Sequence, residues 1–337
     1  MIRFPSALRR SKPDIAVDFG TSNLRLVSRD GGIIFDEPSL CCFSRQDGVT
    51  KFVAAGAAVR AMLDRTPRGL TIKHPLCRGV LQDIEAAKEL LRFALSQTRS
   101  ARSVRSPSAL IGIPADATQA ERSAMLTAAN DAGFGAVELI SEPLAAAIGA
   151  GIDVEAPRGA LLVECGAATT EVSVFALGGS CAAGSVRVGS TTLDQAIADY
   201  LHLEHKFLIG HNTAEEMKLD YAGRQQSSSC SSSVSITAKG RCLRRGLPMT
   251  LEIPLSELDR IVDRHFEQIV RVVHDVLAQT PPELSQDIFD VGVILTGGGA
   301  LVPRIADMIA QATQLRVSVA ADATHCVAKG LHHLLQA

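Results

Sequence analysis

Short apolar runs bounded by Gly, Pro or polar turns alternate along this chain with segments of helical periodicity, the pattern of an α/β protein. Residues 14–20 read Asp-Ile-Ala-Val-Asp-Phe-Gly, an apolar strand ending in an acid, an apolar residue and a glycine. A polar turn, Thr21-Ser22-Asn23, follows, then a second strand over 24–28 and a turn at Asp30-Gly31-Gly32. The same plan returns over 160–166, Ala-Leu-Leu-Val-Glu-Cys-Gly, with a turn at Ala167-Ala168-Thr169-Thr170, a strand over 172–177 and a turn at Gly178-Gly179. Asp18 thereby matches Glu164, and Gly20 matches Gly166. Two copies of one strand–acid–glycine–turn–strand unit imply two similarly built halves.

The segments between these units fit strands and helices in alternation. A short strand over 109–113 ends at Pro114, and Thr118 to Glu121 forms a capping box for a helix that stops at Gly133. A strand over 136–140 leads to Glu142-Pro143, which opens an Ala-rich helix with Pro at its first position. Thr191 to Asp194 can cap another helix, with Leu193, Ile197, Tyr200 or Leu201, and Leu208 on its inner stripe. Ser256-Glu257-Leu258-Asp259 starts the longest helical pattern, in which Leu258, Ile261, Val262, Phe266, Ile269, Val270, Val273 and Leu277 recur until Pro281-Pro282. A strand over 291–295 runs into Thr296-Gly297-Gly298-Gly299, and a helix follows Pro303. The Ser-dominated stretch 225–235 reads as a flexible surface loop.

Composition narrows the picture. The 337 residues suggest two domains, and 46% hydrophobic against 21% charged residues supplies a packed core and excludes wholesale disorder. With 34 basic and 36 acidic residues the formal charge is −2, which argues against nucleic acid as a partner of the whole surface. Aromatics are 4% with no Trp, so base-stacking platforms are not expected either. No uninterrupted apolar run reaches the ~18 residues that a membrane span needs. The eight Cys show no CxxC and no zinc spacing, and no apolar stretch of a secretory signal follows the basic first residues. The chain is therefore expected to be cytoplasmic with reduced, mostly buried thiols.

Three glycine-bearing turns, at Gly20, Gly166 and Gly297 to Gly299, each sit directly after a strand. Such turns expose backbone N–H groups that cradle phosphate oxygens, and glycine lets the backbone approach the ligand. Neither a Walker A sequence nor a GxGxxG is present, so a nucleotide is expected between the halves, each gripping a phosphate. Asp18 and Glu164, at the strand ends, are candidates to position Mg²⁺ through its water shell. Glu142 can polarise an attacking water or simply complement a helix N-terminus; its position alone favours neither.

Several segments together resemble the MreB family, bacterial relatives of actin in the superfamily that also holds Hsp70 chaperones and sugar kinases. They are Asp18-Phe19-Gly20-Thr21-Ser22-Asn23, Arg65-Thr66-Pro67, Gly79-Val80-Leu81-Gln82-Asp83, the run from Glu142 to Gly149, and Thr169-Thr170-Glu171-Val172. Gln279-Thr280-Pro281-Pro282-Glu283-Leu284 and Leu295-Thr296-Gly297-Gly298-Gly299-Ala300-Leu301 complete the set. The resemblance implies an actin-like ATPase fold: two related RNase H-like halves, each with a smaller subdomain, around a cleft for ATP and Mg²⁺. It places the first half at 1–150 with a small subdomain near 33–80, and the second at 151–319 with one near 190–250. A C-terminal segment, 320–337, returns to the first half. Residues Asp18, Gly20, Thr21, Ser22 and Asn23 would form the first phosphate loop, and Glu164, Gly166, Ala167, Ala168, Thr169 and Thr170 the second. Gly297, Gly298, Gly299 and Ala300 would border the adenosine, with Glu215, Glu216, Met217 and Lys218 near ribose and base. Glu142, helped by Thr169 or Thr170, would be catalytic. The implied function is a membrane-associated filament, self-assembled on the inner face of the cytoplasmic membrane, that organises wall synthesis and rod shape with MreC, MreD and RodZ as partners.

The second loop departs from the family's Asp-Ile-Gly-Gly-Gly-Thr-Thr-Glu. Here it reads Glu164-Cys165-Gly166-Ala167-Ala168-Thr169-Thr170-Glu171, and a following Gly-Gly-Asp has become Gly189-Ser190-Thr191. Added Cβ atoms crowd phosphates, and a displacement of ~1 Å can cost ~100-fold in rate, so slow or impaired hydrolysis is expected. Two other readings stand beside the filament: a regulator or scaffold that holds nucleotide with little turnover, and a small-molecule kinase, for which no substrate-specificity segment is found. The first dozen residues carry four basic groups, no acid, and apolar Met1, Ile2, Phe4 and Leu8. With Arg9 and Arg10 they suit a short membrane anchor. Arg99, Arg102 and Arg105 read as a solvated loop, His202 and His205 as surface or packing residues, and Cys165 as an inert apolar replacement in preference to a redox-sensitive thiol.

Overall fold

The computed structural model describes residues 12–46, 48–98, 106–226 and 235–337. Met1, Ile2, Phe4, Leu8, Arg9 and Arg10, the arginines at 99, 102 and 105, and most of the Ser-rich stretch lie outside them.

Two five-stranded sheets share one topology. The first runs Gly32–Pro38, Asn23–Ser28, Ile15–Phe19, Ala109–Ile113, Val137–Ser141. The second runs Gly179–Val186, Thr170–Ala176, Ala160–Cys165, Val293–Thr296, Val317–Val319. In each, the first three strands pair antiparallel and the last two join in parallel. The echo read from the sequence is thus an echo of whole sheets. Apart from Asp18 and Glu164 the central strands are apolar because both faces are covered, and successive side chains alternate between two layers. Val17 and Phe19 pack with the helices Ile84–Thr98 and Gln119–Ala132, while Ala16 packs with the helix Cys326–Gln336. Leu161, Val163 and Cys165 face the core under the helix Leu255–Gln279, and Leu162 packs with Ala146 and Ala147 of the helix Glu142–Gly149.

Each half carries a smaller sheet. Val49–Ala55, Cys41–Gln46 and Leu70–Lys73 form one, and Phe207–Leu208, Ser235–Cys242 and Pro248–Pro254 the other. The capping box is present: the Thr118 hydroxyl accepts from Glu121 N, the Glu121 carboxylate accepts from Thr118 N, and Gly133 ends that helix at φ 106°. Some expected boundaries shift. Pro143 is the second residue of its helix, since Ser141 occupies the N-cap. The helix Ser190–His205 stops before Leu208, which pairs with Arg241 as a strand residue. Val291 ends the helix Pro282–Val291 instead of opening a strand, and Gly292 at φ 93° makes the break.

The helices Glu142–Gly149 and Cys326–Gln336 cross in backbone contact. A Cβ on Gly330 would collide with the Ala145 carbonyl, and one on Gly149 with the Cys326 carbonyl. This crossing lies between the sheets: Ala145 packs under the first, Ala146 and Ala147 under the second.

Candidate functional site

The two echoed turns are built alike. Gly20 N donates to Asn23 O at 3.0 Å, and Gly166 N donates to Thr169 O at 2.8 Å. Each turn is then braced. Ser39 Oγ donates to Gly20 O at 2.7 Å, and Thr191 donates through both N and Oγ1 to Ala167 O at 2.7 Å. The third turn leans on the C-terminal segment, where Gly297 N donates to Ala323 O at 2.8 Å. Gly297 sits at φ 81°, and a Cβ there would strike the Cys165 carbonyl. Glycine is required at that position for both reasons.

The three turns converge on a cleft of about 310 Å³, within the size range of small-molecule sites. Asp18, Gly20, Thr21, Ser22 and Asn23 line one wall; Glu164, Gly166, Ala167, Ala168 and Thr169 line the other; Glu142, Gly297, Gly298 and Glu215 complete it. Six expected residues stand back from the wall. Thr170 is buried with its hydroxyl donating to Val188 O at 2.8 Å. Gly299 and Ala300 are packed beneath the turn, Gly299 against Cys165. Met217 belongs to the core. Glu216 faces an outer groove, and Lys218 is buried against Asp194 at 2.9 Å.

The electrostatics are dominated by acids out of water. Burial raises the Glu142 carboxyl well above its ordinary range, and the neighbouring Glu164, Glu171, Asp18 and Asp116 push it further. Glu164 is raised well above its usual range by burial and then by Glu171 and Asp18. Glu171 is pushed up to about 7, chiefly by burial, although Ala115 N donates to it at 2.8 Å. Asp18 is also raised by burial, a pull that outweighs the opposing charge of Arg25 at 3.0 Å. Two buried oxygens of the cleft residues, Glu164 Oε2 and Thr296 Oγ1, have no hydrogen-bond partner among the described residues. The Cys165 thiol is raised to about 12 by burial, which makes it inert near neutral pH.

The halves also meet across the cleft. Arg60 pairs with Glu215, and His211 N donates to Asp64 Oδ2 at 2.9 Å. On the other side Arg187 Nη1 donates to Arg78 O at 3.0 Å, and Ser185 Oγ donates to Asp116 Oδ2 at 2.6 Å. Arg25, Arg60, Asp116 and Arg187 join the site without having been singled out from the sequence. For Arg25 a signal existed: the offset that matches Asp18 to Glu164 also matches Arg25 to Glu171.

The family model for the MreB/Mbl protein matches residues 12–337. The chain belongs to the MreB/Mbl family. Its relatives include the cell shape-determining protein Mbl of Bacillus cereus, 34% identical over 96% of both chains. The cell shape-determining protein MreB of Escherichia coli is 37% identical over 94% of this chain and 91% of its own. Among solved structures, MreB5 of Spiroplasma citri bound to ADP superposes with a TM-score of 0.85 at 30% identity, covering 95% of both chains. The MamK double helical filament superposes at 0.74 with 20% identity, over 95% of this chain and 97% of its own. The fold is therefore actin-like, as expected for this family. Among the described residues no helix is long and apolar enough to cross a membrane.

Proposed function

We propose that this MreB/Mbl family member binds ATP in the cleft between its halves and assembles with copies of itself into filaments that organise cell shape. The carrying observation is the pair of identically hydrogen-bonded turns on opposite walls of one cleft, with a third glycine turn beside them. Paired loops of this kind hold a phosphate chain from two sides by backbone N–H groups. The relative bound to ADP shares both family and fold. The adenosine would lie along Gly297 and Gly298.

Mg²⁺ suits one side of this site. Glu164 has an orphaned buried oxygen, and Glu142 and Glu171 crowd it with like charge, so a cation there would relieve repulsion. Asp18 is already matched by Arg25. Glu164 would thus hold Mg²⁺ through its water shell, and the ion would neutralise phosphate charge. Glu142 would orient and take a proton from a water at its carboxylate, with Thr169 beside it.

A second reading, nucleotide held with little turnover, draws on the second loop. Ala167 and Ala168 place methyl groups at the wall where glycines would leave room, and Thr170 is committed to the Val188 carbonyl. Membrane contact through Met1, Ile2, Phe4, Leu8, Arg9 and Arg10, and work alongside MreC, MreD and RodZ, extend the proposal from family membership and the basic N-terminus. Pelleting and electron microscopy with ATP, ADP and no nucleotide test the main reading. Nucleotide-dependent filaments are expected; tight ATP binding with no filaments under any condition favours the regulator. Steady-state phosphate release at an ordinary actin-like rate removes the low-turnover reading. Deleting residues 1–12 is expected to reduce co-sedimentation with anionic liposomes.

A further inference from the structure

The two halves match in backbone and differ in charge at one cross-strand pair beside the cleft acids. Asp18 lies in register with Arg25 on the neighbouring strand, as Glu164 lies in register with Glu171. One half sets a guanidinium beside its cleft acid; the other sets a second acid there.

Arg25 is held on two sides. Its Nη1 donates to Asp18 Oδ2 at 3.0 Å and its Nε to Asp36 Oδ2 at 3.1 Å. Asp36 is fixed in turn by Asn23 Nδ2 at 2.6 Å and lies 3.4 Å from His325 Nε2. The side chain is 15% exposed, and Arg25 is among the residues that line the cleft. Among the described residues the two hydrogens on Nη2 have no acceptor. A guanidinium is planar, permanently charged and matched to phosphate oxygens, and one already clamped loses little freedom on binding.

We propose that Arg25 is a phosphate-binding residue whose guanidinium contacts the phosphate chain of the nucleotide directly, so that binding survives removal of divalent cations. The inference rests on the nucleotide reading above and adds to it the group that neutralises charge on the first-loop side. Paired with Asp18, Arg25 removes one ionised acid from the repulsion a polyphosphate meets there. It also occupies the carboxylate that would otherwise attract a hydrated cation.

The test measures ATP affinity of the full-length chain by calorimetry, in Mg²⁺ and in EDTA, for the wild type, Arg25→Met and Arg25→Lys. The wild type is expected to lose less than about tenfold in EDTA. Arg25→Met is expected to lose about ten- to hundredfold in EDTA, the worth of one or two charge-assisted hydrogen bonds, and to regain most of it with Mg²⁺. Arg25→Lys, which keeps the charge without the fork, falls between. Thermal melting without nucleotide checks the fold, and Arg25→Met combined with Asp36→Asn serves where the single variant does not fold. Complete loss of wild-type binding in EDTA overturns the proposal, as does Arg25→Met binding like the wild type there. No ATP binding by the wild type in either buffer removes the nucleotide reading itself, and the arginine's role with it.

Discussion

Gly297 and Gly298 are neighbours under different constraints. A Cβ on Gly297 meets the Cys165 carbonyl at a positive φ of 81°, whereas one on Gly298 meets nothing nearer than Ser190 Oγ at 4.0 Å. Gly297→Ala is expected to cost more than about 2 kcal/mol by urea unfolding, and Gly298→Ala less than about 1 kcal/mol. Lys218 and Asp194 make a buried pair at 2.9 Å behind the cleft wall. Asp194→Ala strands the ammonium and is expected to cost about 3–5 kcal/mol, while replacing both partners by apolar residues recovers much of the loss. Burial raises Asp194 to about 6 in spite of Lys218. The folded chain therefore holds a proton that the unfolded chain, with its carboxyl at its ordinary value of 3.8, has released. That contribution to stability is fully present below about 4 and is lost as pH rises through about 6. Asp194→Asn is expected to flatten the dependence in this window, measured by melting across pH. The cleft acids Asp18 and Glu164 were legible because each sits one residue inside a strand end, two before a glycine. Arg25 was passed over although the echo aligns it with Glu171, because its importance shows only in cross-strand register.

Elements were legible where local chemistry decides them. Thr118 and Glu121 satisfy one another's backbone donors, so the helix start was fixed within four residues of sequence. Thr118→Ala is expected to cost about 1 kcal/mol in chemical denaturation. The long helix Leu255–Gln279 likewise showed in its apolar spacing, since Leu258, Val262, Phe266, Ile269 and Val273 are buried on one side. Boundaries set by tertiary pairing were missed. Leu208 has an apolar side chain at helical spacing, yet its backbone hydrogen-bonds across to Arg241. The positions expected near ribose and base divide between the cleft wall and the interior. Glu215 reaches the wall, Met217 belongs to the core, and Lys218, one turn on from Glu215, is buried in its pair with Asp194.

At the scale of the molecule, the small subdomains touch across the cleft mouth through Arg60 and Glu215, both partly exposed. An exposed pair is worth about 0.2–1 kcal/mol, so this clasp positions the subdomains without locking them. Arg60→Ala is expected to leave global stability within about 1 kcal/mol and to speed amide exchange in the helix His211–Gln226, read by hydrogen–deuterium exchange. That two sheets of one topology would face each other was visible in the repeated acid–glycine unit. That they would share a pair of touching helices was not, since Gly149 and Gly330 lie far apart in the chain.

Those two glycines give the molecule a mechanical property. Side chains between helices can change rotamer and let them slide; backbone resting on backbone has no such slack. Rocking of the halves about this crossing as a fulcrum is therefore expected in preference to slipping of the two helices past each other. Glu142 is the first residue of a helix that bears on this fulcrum. A small tilt of one half therefore swings its carboxylate within the cleft, as a short lever carries its tip.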